Sequence, residues 1–405
     1  MTPIIFHIDV NSAYLSWTAV EQLKNGAKVD LRTIPAIIGG DQKSRHGVVL
    51  AKSIPAKKYG IHTGEPVVNA FRKCPELVME SPDHHMYHEK SAKLMEYLRT
   101  FTTEIEQVSV DECYMDFTGI SGRFHSAVEA AFQIKDEIRG KFGFTVNIGI
   151  SSNKLLAKMA SDFEKPDKVH TLFPEEIKEK MWPLPVGELF MAGKSSVAVL
   201  KKLEINTIGD LANADPNLLA LHLKSHGKML WESANGIADS QVHSVRSEAK
   251  GVGNSTTLSE DVVTEKEAKK VLFSLAESVG SRLKKAGQKA NMVSMEIKYY
   301  DFQCISHQRQ LEKPSNEEKV LYEAACQLFD ETWNGGPIRL LGVRTAKLVD
   351  ASAPEQLSIF DIEIPKPPDE KHQKVNQALK EIRSRFGDGA VIKGSFLKPP
   401  NQKNS

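Results

Sequence analysis

The chain has no run near the roughly 18 apolar residues that a membrane-spanning helix needs, and none of the charge bias that would mark a polyanion binder. Lys and Arg total 53 against 52 Asp and Glu in 405 residues, a formal charge of +1. Cysteine is scarce. Cys74, Cys113, Cys304 and Cys326 lie 39, 191 and 22 residues apart with no C-x-x-C, which suits neither a zinc site nor a disulfide framework. The first residues lack the basic stretch of a secretion signal and reach a carboxylate at Asp9. A reduced, cytoplasmic chain without membrane contact is therefore expected. With 40% hydrophobic and 26% charged residues the composition is that of folded globular domains rather than a disordered chain. At about 150 residues per domain, the length implies two to four of them.

The even charge total hides segregation. Residues 43–73 carry seven Lys/Arg and one Glu, and residues 371–403 carry eight Lys/Arg and two acids. Residues 100–122 hold five acids (Glu104, Glu106, Asp111, Glu112, Asp116) and no Lys or Arg. A cation-seeking segment thus lies between two anion-seeking ones.

The apolar run Ile4–Ile8 has strand length and no alternation, as in a strand buried on both faces. A second strand signal runs from Ile105 to Phe117. Val128, Ala131, Phe132 and Ile138 recur at helical spacing, and Thr145–Ile150 reads as another strand. That order predicts an α+β unit with helices over a sheet, interrupted by the basic segment as an insertion. From 172 to 240 leucines punctuated by Gly193, Gly209, Pro216 and Gly236 predict short helices. Residues 250–350 read β-α-β-β-α-β, a split βαβ, ferredoxin-like order, with Val293, Met295, Ile297 and Tyr299 alternating against Ser294, Glu296 and Lys298. Pro354, Pro365, Pro367 and Pro368 mark an extended linker over 351–369, and an amphipathic pattern over 375–386 predicts one further helix.

The densest chemistry is Ser109-Val110-Asp111-Glu112. Adjacent side chains on a regular strand face opposite ways, so both carboxylates serve one site only if the backbone turns there. Asp9, at the end of the first strand, is within reach of a neighbouring strand. Taken alone, an Asp-Glu pair is ordinary strand-end decoration. Three oxygen donors without imidazole or thiolate suit Mg²⁺ awaiting phosphate oxygens, and the basic insertion could hold those phosphates.

Ile8-Asp9-Val10-Asn11-Ser12-Ala13-Tyr14, Ser109-Val110-Asp111-Glu112, Gly149-Ile150-Ser151-Ser152-Asn153-Lys154-Leu155-Leu156-Ala157-Lys158 and Glu164-Lys165-Pro166 follow one another at spacings that resemble the Y-family of translesion DNA polymerases. The look is that of its bacterial DNA polymerase IV and UmuC-like members, and it covers roughly residues 3–350. The resemblance implies a ferredoxin-like palm (1–12 and 77–170) with inserted fingers (13–76), a small helical thumb (171–242), a little finger (243–350), the linker and a basic tail (370–405). It implies template-directed, low-fidelity synthesis from dNTPs on primer-template DNA, without proofreading. Asp9, Asp111, Glu112 and the Val10 carbonyl match the ligands of two Mg²⁺ ions, with Mn²⁺ able to substitute. Lys57 and Lys165 match contacts to the incoming triphosphate, and Tyr14 a gate against the ribose 2′-hydroxyl.

Some positions depart from the family. Asn11 stands where many members have Asp. Ile54 replaces a Tyr that touches the triphosphate, so that contact is expected to be absent or taken over by Ser53. Of the paired glycines of a helix-hairpin-helix, residues 185–194 keep only Gly193 in place. Gln356-Leu357-Ser358-Ile359-Phe360 resembles the peptide by which such enzymes bind the bacterial sliding clamp. A monomer is expected. The contrasting expectation is a catalytically poor paralogue held on clamp or DNA as a scaffold. His84, His85 and His88 lack further ligands at metal spacing and are not read as a zinc site.

Overall fold

The computed structural model describes residues 2–40, 47–245 and 248–353, together with Ala378, Glu381 and Arg385, which are helical. The linker, the peptide 356–360 and the rest of the tail lie outside the described residues. The chain divides into two compact units, one up to residue 247 and one from Glu248.

The first unit begins with β1 (Ile5–Val10), α1 (Ala13–Lys24), β2 (Ala36–Gly39), β3 (Val49–Lys52), α2 (Ile54–Lys58), α3 (Val67–Lys73), β4 (Val78–Glu80) and α4 (His84–Arg99). It continues through β5 (Ile105–Gln107), β6 (Glu112–Asp116), α5 (Ala127–Phe142), β7 (Val146–Ser151), α6 (Lys154–Asp162) and β8 (Val169–Thr171). The palm sheet has the order β5-β6-β1-β7-β8, with β1 central and antiparallel to both neighbours. Centrality explains the unalternating sequence of β1. Phe6, Ile8 and Val10 enter a core with Trp17, Leu94, Leu98, Ile134 and Ile138, while Ile5 faces Tyr114 and Ala157 on the other side. The helix predicted around 128–138 forms, yet Val128 and Phe132 are exposed and Ala130, Ala131, Ile134 and Ile138 are buried. Of the four positions that spacing selects, Ala131 and Ile138 lie on the buried face, while Val128 and Phe132 do not.

The basic insertion folds as a sheet of order β3-β2-β4 with a core of Ile37, Val49, Ile61, Val67 and Leu77. This sheet extends to Glu80 through β4, which pairs in parallel with β2. Helix α1 serves both layers: Ala13, Trp17 and Val20 join the palm core, and Leu15 and Ala19 pack against Ala36 and Ile38.

The leucine-rich stretch forms α7 (Lys194–Lys202), α8 (Ile208–Ala212), α9 (Pro216–Leu223) and α10 (Ser225–Ala234). Their core includes Leu155, Leu156, Met159 and Ala160, so α6 joins the helical region to the palm. Gly193 is the N-cap of α7, with open space around it.

The second unit contains β9 (Gly253–Val262), α11 (Glu265–Lys285), β10 (Gln288–Tyr299), β11 (Cys304–Ser315), α12 (Glu318–Thr332) and β12 (Ile338–Asp350). The sheet order β11-β10-β12-β9 is antiparallel throughout, and each βαβ connection is split by an intervening strand. Val293, Met295 and Ile297 pack under α11 and α12, as the alternation predicted. Ser294, Glu296, Ser306, Gln308 and Arg344 line a depression of about 850 Å³ on the same unit.

Candidate active site

The register of the palm sheet puts Asp9 directly across from Glu112 on one side and Asn147 on the other. Cross-strand partners share a face, so the Asp9 and Glu112 carboxylates project together with His7 two residues earlier. The strand predicted over 105–117 is broken at Val108–Asp111, between β5 and β6. This break is the turn that two adjacent carboxylates require. Ser109 Oγ lies 2.5 Å from Asp111 Oδ1, and the Asp111 carbonyl accepts a 3.0 Å bond from Val10 N–H. Asp111 therefore hangs beside the end of β1.

The three carboxylates sit in different electrostatic surroundings. Burial pushes the Asp111 pKa up, and the charges of Asp9 and Glu112 add to the rise against the opposing Ser109 hydrogen bond. Glu112 is held down to about 2 by His7, whose Nε2 is 3.3 Å away, and by Lys158, whose Nζ is 3.0 Å away. Burial lowers the pKa of His7 itself, and its Nδ1 lies 2.8 Å from Ser161 Oγ. Lys165 Nζ rests on Asp9 Oδ2 and is 2.8 Å from Asp162 Oδ1. Burial works against the Lys165 charge, but Asp9 and Asp162 outweigh it and raise the pKa.

Among the described residues no three His, Cys, Asp or Glu side chains converge as a ready metal cage. Each carboxylate is turned instead toward a protein donor or cation. The donor set nevertheless fits hard divalent ions: it is all oxygen, and burial, with a smaller contribution from the Asp9 and Glu112 charges, already raises Asp111.

Asp9, Val10 and Asp111 line one end of a cleft of about 670 Å³, whose other wall carries Lys52, Ile54 and Lys57 of the insertion. Tyr14 and Lys165 line it too. Tyr14 is stacked on Tyr87 at 4.4 Å between centroids and 7° between planes, with the His84 ring edge-on to both. Tyr87 is buried and its hydroxyl lies 3.0 Å from Thr18 Oγ1. The Tyr14 ring therefore has a rigid backing.

Ser53 lines the same cleft, but its hydroxyl is already engaged within the fold. It is buried, its Oγ caps α2 by accepting from Ala56 N–H, and it also accepts from Ala36 N–H and donates to the Ile34 carbonyl. A Ser followed by Ile-Pro at a helix start carries that N-cap signal in the sequence. Lys52 supplies polarity to this wall instead. Its nearest polar contact is Thr63 Oγ1 at 3.4 Å, and burial and the Lys57 charge lower its pKa. Neither Lys52 nor Lys57 has a carboxylate partner among the described residues, whereas Arg32 is neutralised by Asp30 at 2.8 Å. His7, Lys52 and Lys158 had no role assigned from sequence. A histidine inside an apolar strand and a lysine inside a motif helix are the signals that were there.

Residues 8–162 match the model of the impB/mucB/samB family, and residues 249–359 match that of the family's C-terminal domain. The chain is 47% identical over 397 residues to a DNA polymerase IV of Clostridium acetobutylicum, covering 98% of this chain and 99% of that one. It is 37% identical over 404 residues to DNA polymerase IV 1 of Bacillus subtilis, covering 99% and 94%. In fold it resembles a solved Y-family DNA polymerase chimera with a TM-score of 0.74 at 22% identity, over 86% of this chain and 99% of that one.

Proposed function

The chain belongs to the impB/mucB/samB family and is a DNA-directed DNA polymerase of the Y-family, and from that premise we propose how its cleft carries out translesion synthesis. Asp9, Asp111, Glu112 and the Val10 carbonyl would hold two Mg²⁺ ions, which when bound neutralise the transferring phosphoryl group and acidify the attacking primer hydroxyl. The protein's own part is positioning. Lys57 and Lys165 bind the triphosphate, Lys165 exchanging Asp9 for phosphate as nucleotide enters. Lys158 and His7 keep Glu112 ionised and oriented. Tyr14, braced by Tyr87, lies flat beneath the sugar and collides with a 2′-hydroxyl.

The observation that carries this reading is one cleft with carboxylates at Asp9 and Asp111 facing the cations Lys57 and Lys165, with an aromatic floor at Tyr14. Phosphoryl transfer requires that pairing of charge and geometry. The insertion forms a single three-stranded sheet with two short helices, so few side chains can check the shape of the nascent pair, and selection falls to base pairing. The helical region and the little finger would grip primer-template DNA through backbone contacts whose strength falls with salt. Residues 356–360 would tether the enzyme, a monomer in the cytoplasm, to the sliding clamp.

Primer extension on intact and abasic templates tests this. Wild type with Mg²⁺ should extend both, prefer dNTP over rNTP, and lose all extension in Asp111→Ala/Glu112→Ala. Failure of pure wild type to extend an intact template, with or without clamp, would overturn it.

A further inference from the structure

Beneath the loop that carries Lys165 lies a buried pair of amides, Asn11 and Asn147. Asn147 is fully buried and Asn11 is 8% exposed. Asn11 follows β1, and Asn147 is the cross-strand partner of Asp9. Their side-chain orientations are fixed by backbone groups, leaving no freedom to flip. Asn11 Oδ1 accepts from Asp167 N–H at 2.9 Å and from the Thr145 hydroxyl at 2.9 Å, so its Nδ2 must be the atom that donates to Asn147 Oδ1 at 3.0 Å. Asn147 Oδ1 also accepts from Lys168 N–H at 3.2 Å, and its Nδ2 donates to the carbonyls of Ser161 at 3.0 Å and Glu164 at 2.6 Å.

Two side chains thus bind the backbone at 164, 167 and 168, on both sides of Lys165, and the end of α6 at 161. No other side chain of the palm bonds these three backbone positions among the described residues. Lys135 and Arg139 hold the same loop from outside, but through the Asp167 side chain, at 3.1 and 2.6 Å. Every strong donor and acceptor of Asn147 is used, which a neutral amide alone among side chains of this size can do.

We propose that Asn11 and Asn147 are positioning residues for nucleotide binding: they set where the Lys165 ammonium sits relative to Asp9 and act on the reaction only through that lysine. The inference rests on the reading of Lys165 as a triphosphate ligand. It also accounts for the departure at position 11. An aspartate there would keep both acceptor contacts but set a carboxylate oxygen against Asn147 Oδ1, which cannot rotate away without breaking its bonds to Lys168, Ser161 and Glu164. Unpaired buried acceptors are costly.

The test is single-nucleotide incorporation by full-length protein carrying Asn11→Ala, Asn11→Asp, Lys165→Ala and each Asn11 replacement combined with Lys165→Ala, with melting temperature and primer-template affinity measured alongside. Asn11→Ala should raise the KM for dNTP about tenfold with a smaller change in kcat and no change in DNA affinity. Asn11→Asp should be no better, although it is nearly the same shape. In the Lys165→Ala background either Asn11 replacement should change kcat/KM by less than about twofold, because the coupled pair acts as one unit. Equal fold-losses in both backgrounds would overturn the proposal and leave Asn11 as fold support only. An unchanged KM in a stably folded Asn11→Ala would do the same. If Lys165→Ala leaves KM unaltered, the reading of Lys165 fails and the proposal falls with it. Should Asn11→Ala fail to fold, Asn11→Ser, which keeps a small hydroxyl at the position, carries the same comparison.

Discussion

Gly149 in β7 is the position where adding a single methyl group should do most harm. A Cβ there would lie 2.0 Å from the Ala157 carbonyl oxygen, 2.5 Å from Ser161 N and 3.0 Å from Ala160 Cβ. All three belong to α6, and two are backbone atoms that no rotamer change can move. Ordinary non-bonded contact begins near 3.5 Å, so in Gly149→Ala the helix must retreat by more than about 1 Å. Overpacking of this kind costs about 3 kcal/mol, the upper end of the usual range. For a unit of this size that corresponds to a midpoint about 6–12 °C lower. The displacement also reaches the chemistry. Helix α6 carries Lys158 against Glu112 and Ser161 against His7, and a 1 Å misplacement of such groups costs about 100-fold in rate. Calorimetry should show the fall in the transition of the N-terminal unit alone, with the little-finger transition unmoved, and single-nucleotide kcat/KM should drop with it. A midpoint within about 1 °C of wild type, with activity retained, would refute the packing argument.

Tyr14→Ala should raise rNTP incorporation relative to dNTP by at least about tenfold, measured as the ratio of kcat/KM values on one template. Chelation by EDTA should abolish extension, and excess Mg²⁺ should restore it while leaving the melting temperature of the second unit unchanged. Glu137 is held down to about 2 by Lys141, with Gln133 and Tyr97 adding to the effect. Its folded pKa lies below the unfolded value of about 4.3, so its stabilisation is complete above that pH and is lost as pH falls toward 2. Thermal melts between pH 5 and pH 2 should therefore fall less steeply for Glu137→Gln than for wild type.

Much of this architecture is written in residue periodicity. The alternation of Val293, Met295, Ile297 and Tyr299 is a strand with one buried face, and the unalternating Ile4–Ile8 run is a strand with two. The need for a turn before Glu112 followed from strand geometry, because Asp111 and Glu112 could not otherwise share a site. What periodicity does not carry is partnership at long range. Nothing near His7 says that its ring lies between Ser161 and Glu112, 154 residues away in one case. Lys52 is one lysine among many until the fold places it in a cleft with no carboxylate partner among the described residues. For Ser53, weighed as a replacement for an otherwise absent contact, its place before Ile-Pro is the local signal of a helix cap, and its hydroxyl fills that role. Strand β4 has no sequence signal of its own because it is only three residues long and pairs in parallel with β2 across β3, α2 and α3.

The most direct test of the account is the single-turnover rate of dNTP addition to a primed template by wild type, Asp9→Asn, Asp111→Asn, Glu112→Gln and the triple variant. Each replacement removes charge with little change in shape. Carboxylates acting as one unit predict that every single variant loses at least about 1,000-fold and that the triple variant is scarcely worse. A single variant that adds nucleotide at near the wild-type rate would contradict the assignment of all three to one centre.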